Sequence, residues 1–432
     1  MTRTSVPGIL LLYHHPLAPS APTIMEHVRA FEQYSRFKVW AVNTELGFPG
    51  ALEGLDFRIV VLHYSLFGWR PFYLTAPFLR YLDASPSSYK IAFFQDEHRY
   101  WPQRAEFINH YQVGCVYTLV EPAYFEVTYL KHTRVPALIY TLTGYVSDDL
   151  VRLARRLTRP SGERPIDVGY RGRQLPFLYG RGSQEKHWIG VRFREHARGL
   201  GLKLSIESEE GKRIYGERYY EFLASCRATL GVEAGVSIFD IDDTVRPQYE
   251  RLLAEHPRIS LEEAEASLLH RFEDNIPYRT ISPRHFEAAA LRVCQILFEG
   301  KYSGVMEPMV HYIALKKDFS NFDEVLRRFQ DERAREEITE NAYRDLVASG
   351  RYSYRRFIEG FDQGLLAAGM APAVPEALAD EVTRLLDRGS AYRLVRTRIT
   401  SLRYRPFPGR KYVRMVAKPV LTRLRHLRQE RS

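Results

Sequence analysis

The chain has 432 residues, 45% hydrophobic and 26% charged, which is more than one ordinary core needs and excludes a disordered protein. No stretch approaches the roughly 18 consecutive apolar residues that a membrane-crossing helix requires, and three cysteines without metal-ligand spacing, Cys115, Cys226 and Cys294, fit buried thiols in a reducing compartment. The net charge of +10 is local. From Arg388 to Ser432 fourteen Lys and Arg face one Glu, a net of +13, which leaves −3 for the other 387 residues.

The chain begins as alternating strands and helices. The apolar run GILLLYH is short enough to be a buried strand, Ile9 to Tyr13, rather than a signal peptide, because the same alternation continues after it. Thr23 with Glu26 three residues on has capping-box spacing, and Val28, Phe31 and Tyr34 then share a helix face. Strands are expected at Lys38 to Val42, Arg58 to His63, Lys90 to Phe94 and Gly114 to Leu119, with helical spacing in Phe72 to Leu82 and Ala123 to Leu130. This order predicts an α/β fold with a parallel sheet covered on both faces. A helix from Asp148 to Leu157 and the run RPSGERP mark the end of a first domain, residues 1–160.

A second series, residues 161–350, starts with the strand IDVGY and a basic, glycine-containing loop that opens a helix striped by Ile189, Phe193, Ala197 and Leu200. Leu202, Leu204 and Ile206 alternate as a strand, RATLGVEAGVSIFD follows as strand and loop, and Val245 to Arg271 reads as a charged helical insertion. The stretch from Ile281 to Asn321 then runs from a polar loop through a short helix, an apolar strand, a turn and a second strand to a helix cap. Beyond it, Tyr354, Phe357, Phe361 and Leu365 stripe a helix, another covers Ala377 to Leu386, and a basic amphipathic tail spans 391–432. The two series share an architecture but no sequence repeat.

Open parallel sheets bind ligands beyond the carboxyl ends of their strands, so the loops there are the candidate site. A nucleotide diphosphate needs cations, and Arg171, Arg173, Arg181 and Lys186 lie among glycines between a strand and a helix, with Arg284 before the later helix. Ribose hydroxyls need an acceptor, and Glu287 near the start of that helix supplies a carboxylate. Tyr302, Ser303 and Gly304 form a turn that can fold over a ligand. For a general base, His14, Asp96 and Glu233 stand at strand ends, as do His15, His63 and Glu97, and no spacing singles one out. Asp240, Asp242 and Asp243 read as structural, and no zinc signature, nucleophile elbow or Walker loop occurs.

The segments FEAAALRVCQILFEG and HYIALKKDFSNFDEVLRRF resemble the donor-binding domain of GT-B glycosyltransferases. Phe286, Glu287, Ala288 and Ala290 match that family's helix start, and Asp318 to Val325 its later strand end and helix cap. The resemblance covers roughly Ile166 to Leu346. It implies two Rossmann-like domains facing a cleft, the acceptor on the first and the nucleotide sugar on the second, with helices of 351–390 crossing back to the first. Glu287 would hold the ribose, and the loop of Arg181 and Lys186 would face the diphosphate. The family's upstream glutamate falls at Arg279, and the glycine after its helix at Arg292.

The expectation is a cytoplasmic, peripheral glycosyltransferase with a nucleotide-sugar co-substrate, no other cofactor and no metal. Its acceptor would be a glycan or a lipid-linked sugar in bacterial surface polysaccharide synthesis. A catalytically silent binder of the same fold is the alternative, and Arg279 supports it; a sugar-nucleotide epimerase would need an acid pair that cannot be placed. The tail, where Arg alternates with Leu, Val, Tyr and Ile from Tyr392 to Arg428, suits an anionic membrane surface, each cation contributing about 1 kcal/mol near it. No nucleic-acid-binding signature accompanies it. Removing Tyr392 to Ser432 is expected to lower co-sedimentation with anionic liposomes, and unchanged binding would remove the membrane assignment.

Overall fold

The computed structural model describes residues 3–17, 22–69, 72–389, 393–395 and 397, so the basic tail lies almost wholly outside the described residues. The first sheet contains β1 (Thr4–Tyr13), β2 (Val39–Asn43), β3 (Leu55–Leu62), β4 (Tyr89–Phe93), β5 (Cys115–Thr118) and β6 (Ala137–Tyr140). Their order is β2-β1-β3-β4-β5-β6, and every pairing is parallel. Ile9 to Leu12 have no exposed surface because helices cover the central strand on both faces. The helices α1 (Thr23–Tyr34), α2 (Ala76–Asp83) and α3 (Trp101–His110) make the crossovers, and α4 (Asp148–Leu157) follows the sheet.

The second sheet opens with β7 (Ile166–Arg171), α5 (Arg181–His196), β8 (Leu204–Glu207), α6 (Glu217–Ala224) and β9 (Cys226–Gly231). An excursion interrupts it: β10 (Ala234–Val236) pairs antiparallel with β11 (Tyr278–Thr280), and α7 (Val245–Glu255) and α8 (Leu261–Ser267) lie between them. The sheet resumes with α9 (Pro283–Ala290), β12 (Cys294–Phe298), β13 (Ile313–Leu315), α10 (Phe322–Gln330) and α11 (Glu332–Tyr343). Its order, β13-β12-β9-β7-β8, is again all parallel. Both sheets therefore reverse their strand order once, the first between β1 and β3 and the second between β7 and β9, and each reversal opens a crevice at the carboxyl ends. Two Rossmann-like α/β units result, as the sequence led us to expect.

The last helices cross back. On α12 (Tyr354–Ala367), Tyr354, Ile358, Phe361 and Leu365 pack with Phe31, Phe93 and Tyr117 of the first unit, and α13 (Glu376–Asp387) inserts Val382 and Leu386 into its other core, where Trp40 Nε1 donates to Thr383 Oγ1 at 3.0 Å. At the crossing the two connecting segments hydrogen-bond to each other, Val146 N to Tyr352 O at 2.8 Å and Tyr354 N to Val146 O at 3.0 Å. The helix expected to close the first domain packs instead on the second: Leu150 and Ala154 of α4 lie against Tyr220 and Phe286, while its polar face keeps the exposed arginines in water.

The structure refines the local expectations. Thr23 is the first helical residue rather than the cap, and Glu26 turns to accept from Ser147 Oγ at 2.8 Å instead of closing a capping box. Residues 122–130 are helical as their spacing implied, but as a 3-10 turn (Pro122–Tyr124) running into a π-helical one (Glu126–Leu130), and β6 is a strand the sequence did not announce. Arg292, at the family's glycine position, adopts a φ of 49°, a left-handed conformation that glycine takes without strain. Its guanidinium lies 3.5 Å from the Tyr343 ring and pairs with Glu340 at 2.9 Å, contacts that offset the cost. Replacing Phe361 by Ala is expected to cost about 3–5 kcal/mol of stability, and Leu366→Ala, on the exposed side of the same helix, under about 1, in urea unfolding.

Candidate functional site

The second sheet's crevice is a cavity of about 410 Å³, within the range of small-ligand sites. Its floor is the end of β9, Thr229 to Val232, with His285 and Gln295 beneath; its walls are Tyr170 to Arg173 on one side and Tyr219, Tyr220 and Phe222 on the other. Pro22 and Thr23, at the start of α1, close it from the first unit. The cavity is therefore part of the cleft between the two sheets.

Glu287 lines this cavity. Ser282 caps α9 by accepting from Arg284 N, Pro283 starts the first turn, and Glu287 falls one turn in, past the first-turn position where the helix dipole alone would explain a carboxylate. Only 8% of the residue is exposed. Tyr220 OH approaches Oε1 at 3.5 Å, at the limit of a hydrogen bond, and Oε2 is buried with no partner among the described residues. Burial lifts the carboxyl pKa to about 7, against the pull of Arg284 and with a contribution from Glu26 across the cleft. A buried acceptor in this state has room for donors that the described residues do not supply.

The cations sort into free and committed ones. Arg173 is exposed on the cavity rim with no ion pair among the described residues. Lys186, on the second turn of α5, also lacks an ion pair there, and burial lowers its pKa to about 8 even though Asp96 pulls it up. Arg284 faces the cavity, with Nη1 on Arg171 O at 2.6 Å and its guanidinium 5.5 Å from the Tyr219 ring. Arg171 is committed to the fold: Nη1 donates to Ser205 O at 2.7 Å, Nη2 to Ser205 Oγ at 3.1 Å, and the guanidinium lies 4.1 Å from the Phe222 ring.

The structure turns Arg181 away from the cavity. Its guanidinium pairs with Glu265 and its backbone N–H donates to Glu273 Oε1 at 3.0 Å, both carboxylates of the excursion, while Gly182 N donates to Ser237 Oγ at 2.8 Å. The N-terminus of α5 is thus already occupied by protein acceptors. Glu233 is also elsewhere: Oε1 accepts from Tyr302 N at 2.8 Å and Oε2 lies 3.9 Å from Arg279 Nε, in a separate charged cavity where Arg279 pairs with Glu185. Tyr302, Ser303 and Gly304 follow one another at φ of 45°, 55° and 71° and turn inward. Tyr302 is fully buried with its hydroxyl on Phe298 O at 2.6 Å, and Ser303 Oγ accepts from Ile281 N at 3.1 Å, so the turn supports the approach to α9 instead of covering a ligand.

On the first unit, Asp96 leaves the carboxyl end of β4 at a φ of 54°, its exposed carboxylate 3.2 Å from Arg99 Nη2. The desolvation that the packing of His98, Arg99, Arg104 and Lys186 brings is outweighed by their charges, which hold its pKa below the usual value. His14 stacks on Tyr73 at 3.8 Å with near-parallel planes, and burial, helped by His15, lowers its pKa to about 4, so it is neutral at pH 7. Among the three candidate bases, Asp96 is the one whose charge acts on a cation of the opposite unit, Lys186. The sequence did not point to Tyr219, Tyr220, Pro22 and Thr23 as cavity residues; only helix spacing marked their neighbourhood.

No helix among the described residues is long and apolar enough to cross a membrane, and no group of three or more His, Cys, Asp and Glu among them is arranged to hold a metal. No family model and no curated protein sequence matches the chain. Solved structures do: an α-glucosyltransferase in complex with UDP (11% identity, 83% of this chain and 99% of that one, TM-score 0.49), Anabaena Alr3699/HepE in complex with UDP and glucose (10%, 83% and 99%, 0.45), and sucrose-phosphate synthase from Thermosynechococcus elongatus (11%, 85% and 100%, 0.45). Likeness at this level assigns no residue here.

A carboxyl whose folded pKa is raised to about 7 from 4.5 takes up its proton in the folded state first, so it costs stability above about pH 7 and ceases to as the pH falls through 4.5. Glu287→Gln is therefore expected to be more stable than the parent at pH 8, by on the order of 1–3 kcal/mol, with the gap closing near pH 4.5 in urea unfolding at both values.

Proposed function

We propose that the chain is a GT-B type glycosyltransferase that moves a sugar from a nucleotide sugar to a hydroxyl of a glycan or lipid-linked acceptor. One observation carries this reading: a buried carboxylate with an unpartnered oxygen, Glu287, shares the cleft cavity with Lys186, Arg173 and Arg284. An ionised carboxylate accepts from two vicinal ribose hydroxyls, while ammonium and guanidinium groups beside it neutralise a diphosphate. The walls of Tyr219, Tyr220 and Phe222 give the remaining slot an apolar lining.

In the transfer, an acceptor oxygen bonds to the anomeric carbon as the bond from that carbon to the diphosphate oxygen breaks. The acceptor's proton passes to Asp96, which its neighbouring cations keep ionised. The departing diphosphate keeps the bonding electrons, and Lys186 and Arg173 stabilise its charge. The basic tail would hold the enzyme at a membrane carrying a lipid-linked acceptor, and surface polysaccharide assembly is the setting that suits such an acceptor.

A second reading, a binding protein of the same fold without turnover, draws on Arg279. The position where the family carries a glutamate holds a guanidinium paired with Glu185, so a carboxylate contact to the sugar is missing there. Nucleoside diphosphate release from UDP-glucose, UDP-N-acetylglucosamine and GDP-mannose separates the readings: binding without release, unchanged in Asp96→Asn, would leave the binder.

For either reading, Lys186→Met and Arg173→Ala should each weaken UDP or GDP binding roughly tenfold to a hundredfold by calorimetry, the worth of a hydrogen bond to a charged group. Affinity should also fall below about pH 7, as Glu287 takes a proton, and above about pH 8, as Lys186 loses one. A flat profile would reject both assignments.

A further inference from the structure

The loop Gln95–Asp96–Glu97–His98 is tied residue by residue to different elements. Gln95 Nε2 donates to Thr143 O at 3.1 Å. The fully buried Arg104 gathers three carbonyls with Nη2, Phe67 O at 3.0 Å and Gln95 O and Asp96 O at 3.4 Å each. Glu97 has no exposed surface and accepts from four donors: Thr118 Oγ1, Tyr129 OH, Leu119 N at 3.0 Å and Tyr278 OH at 2.9 Å. His98 O accepts from Asp240 N at 3.0 Å.

Two of these partners, Tyr278 and Asp240, belong to the second unit's excursion. Val236, Phe239, Ile276 and Tyr278 of that excursion pack inside the first unit's core with Trp101 and Tyr129. Turning one unit against the other along this edge would draw the Tyr278 ring out of that core and strip a donor from a buried carboxylate, which is strongly opposed.

We propose that Glu97 and Tyr278 are positioning residues: through their contact the second unit fixes where the first presents Asp96, opposite Lys186, in one arrangement before and after a nucleotide binds. The proposal rests on the reading of Asp96 as the base. It differs from a purely structural role in what it moves, since the nucleotide's own contacts lie on the second unit.

The test uses the full chain. Tyr278→Phe removes one O–H and keeps the ring. UDP and GDP affinities should stay within about twofold of the parent while nucleoside diphosphate release from UDP-glucose, UDP-N-acetylglucosamine or GDP-mannose falls about tenfold or more in kcat with little change in KM, the signature of a misplaced reacting group. Small-angle scattering of the parent should give the same radius of gyration with and without saturating UDP. Contraction on UDP overturns the proposal whether or not any sugar is turned over. Loss of turnover in Asp96→Asn with full turnover in Tyr278→Phe overturns the positioning role alone. Full turnover in Asp96→Asn refutes the base assignment and the proposal with it.

Discussion

Glu97 carries the constraint on which the cleft depends. A carboxylate without water is tolerable only if its lone pairs are met, and here they are met by side chains and backbone from both units at once. The consequence is geometric. The carboxyl edges of the two sheets are held facing one another, and the cavity walled by the second unit is closed by Pro22 and Thr23 of the first. The crossing helices α12 and α13 and the Val146–Ser353 bridge secure the opposite side.

Within that frame, Glu97 and Glu287 are contrasting carboxylates. Both are buried and both have raised pKa values, with burial the leading cause. Glu97 is satisfied and structural, whereas Glu287 keeps an oxygen without a donor and lines an open cavity. Incomplete satisfaction costs stability, and it persists in folded proteins where a ligand completes it. The same contrast separates Arg171, locked onto Ser205 and Phe222, from Arg173 on the rim.

Much of the fold was legible because the signals are local. Runs such as Ile9 to Leu12 are apolar on both faces of a central strand, and Glu287 stood out through the pattern around it. The site was legible only in part. Arg181 looked like a phosphate ligand because its partners, Glu265 and Glu273, lie 84 and 92 residues further on, a separation that no local pattern reveals. Glu233 was read as a candidate base, but its carboxylate accepts from the backbone of Tyr302 and lies beside the guanidinium of Arg279. Pro22 and Thr23 enter the cavity from the other unit, and only the packing of the two units brings them there.

The capping of α5 by Glu273 and Ser237 reaches beyond local stability. A helix end aimed at a phosphate acts through fixed backbone dipoles, which bulk ions reach poorly. With that end closed by the chain's own acceptors, an anionic guest in the cavity would meet the exposed Arg173 and the more buried Lys186 instead. Such charges are shielded by dissolved ions over about 8 Å at physiological ionic strength. Salt would then weaken the share of the hold that falls to Arg173 more than the share of the buried lysine.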